Sequence, residues 1–178
     1  MQSIIVKKAT LLYLFLLVVT ASLFAQQFEK PAAGKTLIYF VRYQGSLAFL
    51  DFKYFDGEKY LGRISGNNYI NYECEPGEHV LWVSAENRAF IKGDFKPNCT
   101  YVIEVRPFHR VISGGVDLFQ VSPEDNKTLK NIKSLISKKQ KAELKGQDAD
   151  QSSFIKAGME QLKANKGKIN ELNPDWTF

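Results

Sequence analysis

Eight short segments rich in β-branched and aromatic residues place the strongest constraint on the fold of this chain. In order they read TLIYFVRY, LAFLDFKYFDG, EKYLGRIS, NNYINYEC, HVLWVSAE, AFIKGDF, TYVIEVRPF and VDLFQVS. Such segments favour strands, and a strand that buries one face needs a second sheet over that face. The pattern predicts an all-β fold, a single antiparallel sandwich of about seven strands, immunoglobulin-like or prealbumin-like, over residues 28–121.

Residues that favour turns stand between most of these segments. Three residue pairs each combine a residue that fixes or tolerates a turn with one that accepts positive φ. They are Asp56-Gly57, Pro76-Gly77 and Pro97-Asn98. Asp56-Gly57 is typical of a tight hairpin. The sequence therefore predicts that the turns depend on Asp56, Gly57, Pro76, Gly77 and Asn98.

After Val121 the apolar residues change their spacing from two to three and four. Ser122, Pro123 and Asp125 form a predicted helix start, with Ser122 as N-cap and Asp125 as the acid of a capping box. Apolar residues then follow on one stripe, at Leu129, Ile132, Leu135 and Ile136. We predict a C-terminal helical extension: an amphipathic helix docked on the sandwich over 122–145, then a linker and a weaker helical tail over 146–178.

The N-terminus has the order of a secretory signal peptide. Two lysines, Lys7 and Lys8, precede an apolar run from Ala9 to Ala25 that is shorter than the roughly 20 residues of a membrane span. We expect residues 1–25 to be a signal peptide and the protein to be periplasmic or secreted; an uncleaved N-terminal anchor is the alternative. No cysteine lies near Ala25, so a lipoprotein is not expected.

The net charge of +5 is unevenly distributed along the chain. Residues 28–126 carry 11 Lys and Arg against 13 Asp and Glu, whereas residues 127–178 carry 11 against 6. The sandwich therefore lacks the basic surface that nucleic-acid binding requires, and we expect no nucleic-acid partner. The basic tail is the part expected to contact a membrane surface or an acidic partner.

The ordered motifs TLIYFVRY, FDGEKYLGRI, NNY, EPGEHVL and KPNCTYVIEV resemble the bacterial family known as domain of unknown function 2846, over roughly residues 30–121. Asn98 stands where that family has a glycine before its last shared strand, and asparagine is the next best residue at positive φ. The resemblance implies a small exported β-sandwich of the cell envelope. It implies no activity.

The stretch from Cys74 to His79 contains a thiol, acids and an imidazole, which nucleophilic chemistry could use. The same stretch contains Pro76-Gly77 before alternating apolar residues, which favours a turn into a strand that begins at a surface edge. The only histidines are His79 and His109, and no C-x-x-C or H-x-x-x-H spacing occurs. We therefore predict no metal, no cofactor and no catalytic residue.

Cys74 and Cys99 are a candidate disulfide. Cys74 precedes the Pro76-Gly77 turn and Cys99 follows the Pro97-Asn98 turn. In an antiparallel meander both turns would fall at the same end of the sandwich. An oxidising compartment would favour a bridge between them. The alternative is two free cysteines packed as small apolar side chains on separate strands.

Arg42 and Arg63 are candidate binding residues for an anionic ligand, with a surface ion pair as the simpler interpretation. The aromatic segment over 49–60 could stack on a glycan, although core packing explains most of its aromatic residues. We expect a non-enzymatic binding or accessory module of the envelope that contacts a protein or glycan. The alternative is a structural or assembly protein acting through its basic helix, and a hydrolase or thiol enzyme ranks last.

Overall fold

The computed structural model describes residues 28–44, 49–109 and 114–178, so the expected signal peptide at 1–25 lies outside the described residues. The described part contains nine strands and two helices. The elements are β1 (Thr36–Arg42), β2 (Phe52–Asp56), β3 (Lys59–Ile64), β4 (Asn68–Cys74), β5 (Gly77–Ser84), β6 (Arg88–Phe95), β7 (Cys99–His109), β8 (Gly114–Gln120), α1 (Asn126–Lys138), α2 (Ser152–Lys163) and β9 (Lys168–Glu171).

The strands form two sheets. The first sheet has the order β4-β1-β7-β8, and the second has the order β3-β2-β5-β6-β9. The fold is therefore mostly β and sandwich-like, as predicted, but the number of strands is nine and not about seven. The prediction of purely antiparallel sheets was also wrong, because β1 pairs with β7 in parallel and β6 pairs with β9 in parallel.

The inner faces of the two sheets enclose the main core. Alternation along a strand sends every second side chain inward, so β1 contributes Ile38 and Phe40 while β2 contributes Phe52 and Tyr54. All four side chains are almost completely inaccessible to solvent. The rings of Phe40 and Tyr54 meet edge to face across the two sheets, with centroids 5.4 Å apart.

Helix α1 covers the outer face of the first sheet. Leu129 and Ile132 are buried there among side chains of β1 and β7, including Tyr39 and Val102. The helix begins later than predicted, because Asp125 and not Ser122 is its N-cap: Thr128 N donates to Asp125 Oδ1 at 3.0 Å. It also ends at Lys138 and not near residue 145, since Lys139 has extended backbone.

Helix α2 covers the outer face of the second sheet. It packs on a cluster of stacked rings that includes Phe55, Trp82 and Phe90. Gly158 lies close against the indole, since a Cβ added there would stand 2.8 Å from Trp82 Cη2. Neither helix in the described part of the chain is long and apolar enough to cross a membrane.

The chain does not end as a loose helical tail. After α2 it adds β9 to the edge of the second sheet, and Leu172 then enters the main core. The ring of Phe178 packs on that of Phe28 with centroids 4.9 Å apart. Most of the segment predicted as linker and weak helix is therefore integrated into the sandwich.

The outer edge of β8 is covered by side-chain amides. Asn87 Nδ2 donates to Val116 O at 2.9 Å, and Val116 N donates to Asn87 Oδ1 at 2.6 Å. Asn170 Nδ2 donates to Leu118 O. These bonds satisfy backbone groups that an exposed edge strand would otherwise offer to another chain.

Candidate functional site

The stretch around His79 forms a small polar cluster that joins the two sheets. His79 Nδ1 lies 2.7 Å from Asp56 Oδ2, and His79 Nε2 lies 2.8 Å from the backbone oxygen of Glu75. The hydroxyl of Tyr72, on the first sheet, donates to the same Asp56 oxygen at 2.9 Å. Asp56 and His79 belong to the second sheet, so these bonds tie one end of the sandwich together.

His79 is a cation in this arrangement. Each ring nitrogen faces an oxygen acceptor, so both nitrogens donate and the ring carries two protons. The hydrogen bond to Asp56 and then the contact with the Cys74 side chain raise the pKa of His79 to about 10, against the opposing effect of burial. Burial and the Asp56 charge likewise raise the pKa of Tyr72. A doubly protonated imidazole has no lone pair with which to activate a thiol.

The hydrogen-bonded pair of His79 and Asp56 makes the stability of the protein depend on pH in the alkaline range. The His79 pKa is raised from 6.5 to about 10, so its stabilising contribution is complete below pH 6.5 and is lost as the pH rises through 10. Between pH 7 and 9 we expect the free energy of unfolding to fall by about 2 kcal/mol. Urea unfolding at a series of pH values measures this slope.

The matched variant His79→Gln is expected to unfold with a smaller pH dependence over the same interval. It cannot gain a proton on folding, whereas the tyrosines and lysines that titrate in both proteins are unchanged. Equal slopes for the wild type and His79→Gln would show that His79 is not held as a cation.

The two cysteines are free in the structure, contrary to the candidate disulfide. Cys74 and Cys99 both lie opposite Thr36, one on each side of β1. Neighbouring strands lie about 4.8 Å apart, so two strand spacings separate their Cα atoms by roughly 9.5 Å. A bridge requires about 7 Å or less. The intervening β1 therefore keeps the thiols apart, although both cysteines are at the same end of the sandwich.

The turn residues occupy distinct positions. Gly57 has a φ of 53° in the β2–β3 hairpin, and Asn98 has a φ of 59° while its Oδ1 accepts from Gly34 N at 2.7 Å. Pro76 and Gly77 do not close a hairpin, because β4 and β5 lie in different sheets. They form a short crossing between sheets, and the meander assumed from the sequence is wrong at this point.

The two candidate binding arginines lie in different environments. Arg42 is completely buried and not on the surface: its guanidinium lies 4.1 Å from the Phe52 ring centroid, and Nη1 donates to Leu50 O at 3.1 Å. Burial lowers its pKa. Arg63 is about half exposed and pairs with Asp51 at 3.5 Å. The structure does not bring the two arginines together around a common ligand site.

The aromatic segment over 49–60 is largely core. Phe52, Tyr54 and Phe55 are buried, and their rings are not available to stack on a glycan. Phe49, by contrast, is 79% exposed. The core interpretation therefore accounts for this segment better than a binding platform does.

A groove lies between the end of β1 and the C-terminal half of α1. It has a volume of about 570 Å³ and is lined by Tyr43, Gln44, Asn131, Ser134, Leu135, Lys138 and Lys139. Sequence reasoning missed it, because two segments that are far apart in the chain form its walls. The helical period does place Asn131, Ser134, Leu135 and Lys138 on adjacent faces, but nothing in the sequence showed what faces them.

The outward face of α1 and the segment after it are strongly basic. Residues 127–145 contain seven lysines and one glutamate. These seven lysines are exposed, and within the described residues Lys130, Lys138 and Lys141 form no ion pair. This part of the described chain therefore presents a strongly positive surface.

Comparisons with models of known protein families and with curated proteins find no match to this chain. Within residues 28–44, 49–109 and 114–178, no group of three or more His, Cys, Asp or Glu side chains is arranged to hold a metal ion. The candidate functional site is the basic face of α1 with the polar groove beside it.

Proposed function

We propose that the chain is an exported, non-enzymatic binding or accessory module of the bacterial envelope, which contacts an anionic partner through the outward face of α1. The observation that carries this proposal is the excess of seven lysines over one glutamate in residues 127–145. The apolar stripe of α1 is occupied by the first sheet, so the face left for a partner is the basic one. Surface charge of one sign attracts and orients an oppositely charged partner.

The cluster around His79 supports a non-enzymatic role. Its histidine is held between the Asp56 carboxylate and the Glu75 backbone oxygen, and its bonds fasten β4 to β2 and β5. A general base needs a free lone pair within reach of a proton. A hydrolase or thiol enzyme consequently remains the least favoured alternative.

The resemblance to domain of unknown function 2846 is part of the same proposal, and it supports the envelope location.

For the finer fold type, the strand order favours the prealbumin-like alternative. In immunoglobulin domains the first two strands share a sheet. Here β1 and β2 lie in opposite sheets, and β1 pairs in parallel with β7.

The proposal predicts salt-dependent binding to envelope material. The protein lacking residues 1–25 is expected to sediment with purified bacterial envelopes at low salt, and the double variant Lys130→Glu, Lys141→Glu is expected to lose at least tenfold in affinity. The matched control is Lys156→Glu, Lys163→Glu on α2, which makes the same charge change on the other side of the sandwich. Equal loss in both variants would mean that net charge alone controls binding, and retention of binding by the α1 variant would refute the proposal.

A second candidate function is a structural or assembly role in which the same lysines contact a membrane surface. The basic face favours it, because lysines near anionic lipid contribute about 1 kcal/mol each. Leu129 and Ile132 are buried against the sheet, however, and cannot insert into lipid. Sedimentation with phosphatidylglycerol vesicles, compared with lipid-free cell-wall material, separates this role from the preferred one.

A further inference from the structure

We infer that the groove between β1 and α1 binds an acidic sugar residue of a glycan. The inference rests on the proposed function, since it names the partner of the same basic face. The groove contains a pair of lysines at one end and uncharged hydrogen-bonding groups along its walls. Both features are needed by a ring that carries one carboxylate or phosphate and several hydroxyls.

The anionic group is placed by Lys138 and Lys139 at the end of α1. Both side chains are exposed and line the groove. Lys139 Nζ donates one bond to Asn67 O at 2.6 Å, which fixes its position and leaves two further donors. No carboxylate lines this groove within the described residues, so the two ammonium groups are available to an anionic ligand.

The sugar hydroxyls are placed by the polar side chains of the walls. Gln44 Nε2 bonds to Glu104 Oε1 at 3.0 Å, and this bond orients its free carbonyl oxygen. In the described part of the chain, the side chains of Asn131 and Ser134 and the hydroxyl of Tyr43 make no hydrogen bond. These groups comprise donors and acceptors together, which hydroxyl-bearing ligands require and a simple anion does not.

The composition of the groove also disfavours an anionic lipid. A volume of about 570 Å³ lies within the range of small-molecule sites. Among the described residues of the lining, Leu135 is the only aliphatic one, and it offers little apolar surface to an acyl chain. An acidic peptide also offers backbone donors and acceptors to these groups, so the comparison with hexaglutamate is the one that separates it from a sugar.

Calorimetric titration of the protein lacking residues 1–25 with trigalacturonate tests the inference. We expect trigalacturonate to bind, and both neutral maltotriose and hexaglutamate to bind at least tenfold more weakly. Phosphatidylglycerol vesicles are expected not to compete with trigalacturonate for the protein. The double variant Lys138→Gln, Lys139→Gln is expected to abolish binding. Asn131→Ala, Ser134→Ala is expected to weaken it about tenfold, since each lost hydrogen bond has a modest effect.

The variants and controls keep the outcomes distinct. Asn131 is exposed and Ser134 is half-buried on α1, and alanine favours the helix at both positions, so the double variant is expected to unfold at the wild-type temperature. Lys156→Gln, Lys163→Gln is the matched control and is expected to bind like the wild type. Equal affinity for hexaglutamate, no effect of the Asn131 and Ser134 changes, or no binding of trigalacturonate would each overturn the sugar site. The envelope-binding proposal would then still stand if the Lys130 and Lys141 variant loses envelope binding.

Discussion

Replacing Trp82 with alanine is expected to lower the free energy of unfolding by about 4 kcal/mol, because a fully buried indole is removed from beneath α2. The indole stacks on Phe55 with centroids 3.7 Å apart, and its Nε1 donates to Gly57 O at 2.9 Å. The variant loses both contacts and leaves the Gly57 oxygen without this partner. Thermal unfolding followed by circular dichroism should show a decrease in Tm on the order of 10 °C.

The chain provides its own control for this substitution. Trp176 is the second tryptophan and is 37% exposed, so Trp176→Ala is expected to change the free energy of unfolding by much less than Trp82→Ala. If the two variants unfold at the same temperature, α2 is not packed on the second sheet. Addition of a side chain at Gly158 would then also be tolerated.

Replacing Ile132 with aspartate is expected to destabilise the whole domain by several kcal/mol. Ile132 is completely buried between α1 and the first sheet, and an unpaired carboxylate at this position would lose its hydration without gaining a partner. Urea unfolding monitored by tryptophan fluorescence measures the effect. Both tryptophans lie outside α1, so their signal reports the sandwich and not the helix alone.

A substitution at the nearby residue Lys130 separates the effect of burial on stability from the effect of helix propensity. Lys130 is on the exposed face of α1, and Lys130→Asp is expected to cost only a few tenths of a kcal/mol to about 1 kcal/mol. An unfolding midpoint for Ile132→Asp equal to that of Lys130→Asp would show that α1 is detached in solution. The basic face would then have to be assigned to a free helix.

The strands were predictable from the sequence because their signal is local. The alternation in TYVIEVRPF places Tyr101, Ile103 and Val105 on one face, and these three side chains lie in the core between the sheets. The two-sheet arrangement follows from the need to cover that face. Asn98 has the positive φ for which its residue type is suited.

The pairing of the strands was not predictable, since it depends on residues that are distant in the chain. β9 has four residues, KINE, with no alternation that distinguishes it from a loop, and only the open edge of β6 makes it a strand. Arg42 was predicted to lie at the surface because it is charged. Its contact with the ring of Phe52 depends on the fold and could not be read from the sequence. The groove was missed for the same reason.

The two parallel pairings determine how early the chain is able to fold. Antiparallel neighbours such as β5 and β6 can form as soon as both have been synthesised, but β1 must wait for β7, about 60 residues later. β6 must wait for β9, close to the end of the chain. A high proportion of such distant contacts slows folding. The central pairing of the first sheet therefore forms only after β7 has been synthesised, and the second sheet is complete only after β9.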